Sequence, residues 1–139
     1  MWLIYEILLC LGLLLCLPKA LWRRRLPHAG WSMRLGRYPE LVRSRLAGRE
    51  TVWIHAVSVG EVNAVEPLIR ALQAEEPQRP IVLSTVTPAG HAVASRILGD
   101  RGVVLYGPLD LRWCVWRAVR TLRPRLLVLV ESELWPTLI

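Results

Sequence analysis

The sequence has few of the residues on which small stapled folds and common nucleotide sites depend. Cysteine occurs three times in 139 residues. Cys10 and Cys16 share one apolar run, Cys114 lies far away, and neither a C-x-x-C pair nor a ligand spacing to the three histidines exists. That excludes a disulfide framework and the usual thiolate metal sites, and predicts reduced, buried thiols. The three-glycine G-x-G-x-x-G fingerprint, the G-x-x-x-x-G-K-[ST] phosphate loop and the G-x-S-x-G elbow are also missing. Lysine is almost absent, since Lys19 alone among the 18 basic residues is not arginine.

What is present is unevenly spread. Hydrophobic residues make up 53% of the chain, high for a soluble domain. They concentrate first in "MWLIYEILLCLGLLLCLPKALW", where Ile7 to Leu17 carries no charge. With Glu6 and Pro18 tolerated near its ends, the run reaches the ~20 residues a bilayer-spanning helix needs, which makes it either a tilted anchor or a helix lying in the interface. No basic region precedes it and "WRRRLP" follows, so residues 1–22 read as an uncleaved anchor rather than a signal peptide. Arg23, Arg24 and Arg25 then hold the following chain in the cytoplasm by the positive-inside rule.

The net charge of +7 suggests nucleic acid at first sight. The arginines Arg23, Arg24, Arg25, Arg34, Arg37 and Arg43 instead lie between the anchor and the first strand. There they suit anionic lipid, at about 1 kcal/mol per residue near the surface. The expectation is a membrane partner and no nucleic acid, with residues 23–50 as a basic connecting segment beside the membrane.

From Thr51 the pattern is that of a folded domain, residues 51–139. "TVWIHAV", "PIVLSTV", "GVVLYG" and "RLLVLVE" are β-rich apolar runs. Helical spacing separates them in "EVNAVEPLIRALQAEE", "AGHAVASRIL" and "LRWCVWRAVRTL". Pro67 predicts a kink or a distorted second turn. Thr87 and Pro88 read as N-cap and first-turn proline, and Asp110 as a cap for the last helix. Apolar strands alternating with helices predict an α/β fold, a Rossmann-like parallel sheet with helices on both faces.

In such a sheet ligands bind beyond the carboxyl ends of the strands. Four loops fall there, "SVGE" (58–61), "VTPAG" (86–90), "YGPLD" (106–110) and "ESELWP" (131–136). Glu61 sits on a helix's first turn, either as an acid complementing the helix dipole or as a working acid or base. Gly60 would let a substrate approach the backbone. Glu131 ends a buried strand, where a carboxylate is costly without a partner, and Glu133 follows two residues on. Ser132 reads as a turn residue. His55 reads as structural, His91 as a weak candidate for substrate contact, and Trp113 and Trp116 as packing residues.

The segments "WIHAVSVGE", "STVTPAG", "YGPLDL" and "ESELWPTLI", in that order behind an apolar N-terminus and a basic segment, resemble the 3-deoxy-D-manno-octulosonic acid (Kdo) transferases. The resemblance implies the N-terminal, acceptor-side half of a GT-B glycosyltransferase. It implies inverting transfer of Kdo from CMP-Kdo to the lipid A precursor (lipid IVA) in lipopolysaccharide core synthesis, with no cofactor and no metal. It places the enzyme at the cytoplasmic face of the bacterial inner membrane. It makes Glu61 the catalytic base and Glu131 a supporter of the transition state. Ser58, Gly60 and Glu133 are the further substrate-contact candidates. The family has a second Rossmann domain carrying most of the CMP-sugar site. The 139 residues therefore read as a shortened form, inactive alone. The alternative is a non-catalytic membrane-associated binding module with a Rossmann-like core.

Overall fold

The computed structural model describes residues 30–130 and 136–138, with residues 5, 7, 10–12, 14 and 15 near the N-terminus. Residues 1–31 and 32–139 form two separate compact units. In the first, the described residues between 5 and 15 are helical, and Ile7, Leu11, Leu14 and Leu15 are exposed. Among the described residues no helix is long and apolar enough to cross a membrane. The anchor expected over residues 1–22 lies mostly outside the described residues.

The second unit is built on four parallel strands, β1 (Thr51–His55), β2 (Ile81–Thr85), β3 (Gly102–Tyr106) and β4 (Pro124–Leu129), in the order β3-β2-β1-β4. The expected parallel α/β architecture is therefore present. Side chains alternate across the sheet, as the two-residue strand period requires. Val52 and Ile54 of β1 join Ile81 and Leu83 on one face, while Trp53 joins Val82 and Leu105 on the other.

Helices cover both faces. Helices α3 (Val59–Ala64), α4 (Glu66–Glu75) and α5 (Pro88–Leu98) supply Val62, Ile69, Ala94 and Leu98 to the first cluster. Helices α2 (Glu40–Leu46) and α6 (Arg112–Leu122) supply Val42, Leu46, Ala118 and Leu122 to the second. Each fully buried aliphatic side chain contributes roughly 1.5–3 kcal/mol through its removal from water.

The short helix α1 (Trp31–Arg34) closes with two bonds, from Gly36 N to Met33 O and from Arg37 N to Ser32 O. This is a Schellman-type ending, which needs a left-handed residue, and Gly36 supplies it at φ 71°. A Cβ at Gly36 would lie 2.9 Å from Cys114 O and 2.7 Å from Arg117 Cβ, so the turn is pressed against α6. Glycine is required there twice over.

One local expectation holds and two change. The distortion expected at Pro67 is a break, the segment dividing into α3 and α4 at Val65, with Pro67 in the first turn of α4, where its missing N–H costs nothing. Asp110 does not cap α6; Leu111 is the N-cap residue and makes no side-chain cap bond. Strand β4, although apolar in sequence, is only half covered, with Leu126 49% exposed. Among the described residues its one strand partner is β1.

The strand order places the functional edge. After β1 the chain winds outward through β2 and β3, then crosses back to lay β4 on the other side of β1. The order reverses between β1 and β4, and at such a switch point the loops diverge and leave a crevice. The loop from Ala56 to Glu61 opens there.

Candidate active site at the carboxyl rim of the sheet

Glu61 is held at the switch point by the start of α3. Ser58 is the N-cap, in extended conformation, and its Oγ accepts from Glu61 N at 3.3 Å. The Glu61 carboxylate reaches back, Oε2 accepting from Val57 N at 2.7 Å and Oε1 from Ser58 N at 3.2 Å. This reciprocal capping box satisfies backbone donors that the first turn otherwise leaves orphaned. Glu61 is therefore a helix starter, as its position suggested. The same bonds fix where its carboxylate stands.

A carboxylate offers about four acceptor sites, and the two N–H bonds leave capacity for a hydroxyl donor. Glu61 is buried but not sealed, at 9% exposure, and its neighbours Ser58, Val59 and Gly60 are exposed. At Gly60 a Cβ would meet nothing nearer than Ser58 Oγ, at 3.8 Å. Packing within the chain does not demand a glycine there. Its bare backbone faces outward beside the carboxylate, as a close-approaching substrate would need.

Behind Glu61 lies a buried polar cluster. Ser84 Oγ accepts from Trp53 Nε1 at 2.7 Å and shares a proton with His55 Nδ1 at 2.7 Å. Burial pushes His55 down to about 4; the Glu61 charge and the Ser84 bond oppose that, and Arg34 adds to it. His55 is thus neutral at physiological pH. Gly107 lets β3's exit pass directly over the ring, since a Cβ there would lie 2.6 Å from His55 Cε1. The structural reading of His55 is the one this packing supports.

Among the described arginines of the basic segment, Arg34 is carried to this rim. Its guanidinium donates to Val86 O and stands 5.9 Å from the Tyr106 ring centroid. Burial lowers its pKa. The Gly36 turn, pressed on α6, directs it there. His91 stacks on Tyr106 at 4.6 Å between centroids, which puts this weak candidate on the rim as well. Asp110, fully buried, takes Thr137 N on both carboxylate oxygens at 3.0 and 3.2 Å, and Thr137 Oγ1 returns a bond to Asp110 O.

Glu131 and Glu133 lie outside the described residues. The strand before them is placed, since Val130 N donates to His55 O at 3.0 Å. Sequence reasoning did not single out Arg34, Ser84 or the Asp110–Thr137 clamp. Ser84 left a signal, a hydroxyl within the apolar run "PIVLSTV". Arg34 left none among so many arginines.

Among the described residues no three His, Cys, Asp or Glu side chains gather as metal ligands. Clefts of about 500 and 290 Å³ lie at the opposite, amino rim, lined by Arg49, Pro77, Arg79 and Pro80. There Arg79 meets Glu76 and Glu50 in ion pairs, so those charges already satisfy one another. The carboxyl rim is the candidate site on topology and chemistry together.

Comparison with known proteins agrees with the motif order. A family model described as 3-deoxy-D-manno-octulosonic-acid transferase (kdotransferase) matches residues 29–139. A 3-deoxy-D-manno-octulosonic acid transferase of Haemophilus influenzae is 42% identical over 88 residues, covering 63% of this chain and 21% of the relative. That of Chlamydophila psittaci is 31% identical over 134 residues, covering 95% and 31%. That of Bordetella pertussis is 34% identical over 129 residues, covering 86% and 29%. The chain thus spans between about a fifth and a third of the length of these relatives. Matched along the whole of the second unit, the chain belongs to the 3-deoxy-D-manno-octulosonic acid transferase family.

Proposed function

We propose that this chain is the acceptor-side part of a glycosyltransferase that moves Kdo from CMP-Kdo onto the lipid A precursor with inversion. Glu61 is the general base. Glu131 supports the transition state, and Ser58, Gly60 and Glu133 line the acceptor's approach. No metal or other cofactor enters; the work takes place at the cytoplasmic face of the inner membrane. The observation that carries this reading is the Glu61 carboxylate, fixed at the switch point of a family-matched sheet beside an exposed glycine backbone.

Inversion in one displacement needs a group that takes the acceptor hydroxyl's proton as the oxygen attacks. A carboxylate pinned by two N–H bonds loses little freedom when it accepts one more donor, which favours a near-attack geometry. Arg34 on the same rim supplies positive charge suited to an acceptor phosphate. The isolated 139 residues should not transfer Kdo; CMP release from CMP-Kdo by this chain alone would overturn that.

The doubly capped state of Glu61 favours a second reading, in which the carboxylate only starts the helix and the chain is a non-catalytic binding module. Glu61→Gln in a full-length context separates the two. The amide oxygen still caps one N–H, so the fold is kept. Transfer should fall by about 10²–10⁴, the usual worth of a general base. Near-normal transfer would assign Glu61 to capping alone.

A further inference from the structure

Helix α6 is sealed on one side and bare on the other. Cys114, Val115, Ala118 and Leu122 are buried against the sheet. Trp113, Trp116 and Val119 are 45%, 58% and 43% exposed. The two tryptophans are therefore not the packing residues that the sequence suggested. Positions 113, 116 and 120 follow the three- and four-residue spacing that puts side chains on one stripe. Arg117 stands 5.1 Å over the Trp113 ring and Arg120 5.1 Å over the Trp116 ring. Arg112 and Arg123 carry positive charge to both ends, and no acidic residue occurs between Asp110 and Glu131. Helix α2, packed beside α6, exposes Leu41 as well.

Single exposed apolar residues need no explanation. Two tryptophans and a valine on one basic helix do. Tryptophan has an apolar body and a polar N–H, and it is enriched where hydrocarbon meets water. Arginine beside it keeps its charge at headgroup level. A two-fold contact with a second copy would set these arginines against themselves, a like-charge arrangement. Base stacking on the rings is disfavoured, because guanidinium groups already lie over them.

We propose that the Trp113–Trp116–Arg117–Arg120 stripe of α6 docks on an anionic lipid bilayer, with the indoles at the headgroup boundary and the guanidinium groups on lipid phosphates. This contact lies in the folded unit itself and owes nothing to the apolar N-terminus. It stands whether or not the transferase reading holds.

The test uses the full chain with vesicles whose phosphatidylcholine acyl chains are brominated, with and without phosphatidylglycerol. The emission that wild type shows and Trp113→Phe/Trp116→Phe lacks reports the pair alone, apart from the other tryptophans. Circular dichroism should be the same for both, since the rings are exposed. With phosphatidylglycerol the pair's emission is quenched, and high salt or pure phosphatidylcholine abolishes most of that quenching. Arg117→Gln/Arg120→Gln raises the phosphatidylglycerol content needed for half-maximal quenching severalfold. The proposal fails if the pair's emission is never quenched, or is quenched equally without phosphatidylglycerol. It fails too if an oligonucleotide removes the pair from the vesicles, or if sedimentation shows a dimer that the Trp113→Phe/Trp116→Phe variant dissolves.

Discussion

The two rims of the sheet use polar residues in opposite ways. At the carboxyl rim His55, Ser84, Glu61 and Asp110 are buried and tied to backbone or to one another. At the amino rim Glu50, Glu76, Arg79 and Arg125 form ion pairs in water. A buried polar group is costly unless its partners are in place, so each position at the carboxyl rim is specified by several others. An exposed pair is screened and holds its geometry loosely. Among the described residues most of the demanding polar contacts lie at the carboxyl rim; at the amino rim buried Thr51, which donates to Leu122 O at 2.8 Å, is the exception.

The largest break in that contrast should come from a residue with no polar side chain. Gly36→Ala forces a left-handed alanine, at about 1–2 kcal/mol, and drives its methyl into α6, at about 1–3 kcal/mol more. An unfolding free energy lower by roughly 2–5 kcal/mol in total, seen as a lower urea midpoint, is expected. With it, Arg34 leaves the Tyr106 ring. An unchanged midpoint would mean that the α1 turn is not what places Arg34.

Acid should break the carboxyl rim next. Burial holds His55 at about 4 in the fold, below its ordinary 6.5. The unfolded chain therefore binds the proton first as pH falls, and stability contributed by the neutral ring, full above pH 6.5, is lost down to about 4. The difference is worth on the order of 3 kcal/mol. His55→Asn keeps a hydrogen-bonding partner for Ser84 without titrating there, so its stability should fall less steeply over that window. Parallel curves for the two proteins would remove His55 as the cause.

Much of this was legible in the sequence, and the exceptions have physical causes. Strands β1 and β2, buried throughout, and the more exposed β3 and β4 all read as apolar runs, so all four were visible. The cap at Thr87 is a local bond across three residues and was read directly; the equally local one at Ser58 was not singled out. Asp110 was misread because its partner, Thr137, lies 27 residues away. Helix α6 was misread because it has apolar residues nearly all round. Periodicity could not choose between Trp113, Trp116 and Val119 on one side and Val115, Ala118 and Leu122 on the other. The packing of α2 and the Gly36 turn made that choice.

Smaller effects sharpen the contrast. Ser58→Ala removes the cap that aims Glu61 and should cost about 1 kcal/mol in urea unfolding. Transfer, measured in a full-length context, should fall by more than that loss of stability explains, since the carboxylate loses its fixed position. Equal loss of both would leave Ser58 a cap and nothing else.

Glu50→Gln at the amino rim should do least, although it touches more. Glu50 Oε2 lies 3.5 Å from Arg79 and 3.6 Å from Arg125, so one substitution removes two ion pairs. Arg79 still holds Glu76, and its pKa is raised chiefly by that hydrogen bond, with Glu50 a smaller cause. The glutamine amide can also accept from either arginine. No resolvable shift in the urea midpoint is expected, at low or high salt. A loss as large as that of Ser58→Ala would show that the amino rim is as tightly specified as the carboxyl rim. Burial would then no longer be what separates them.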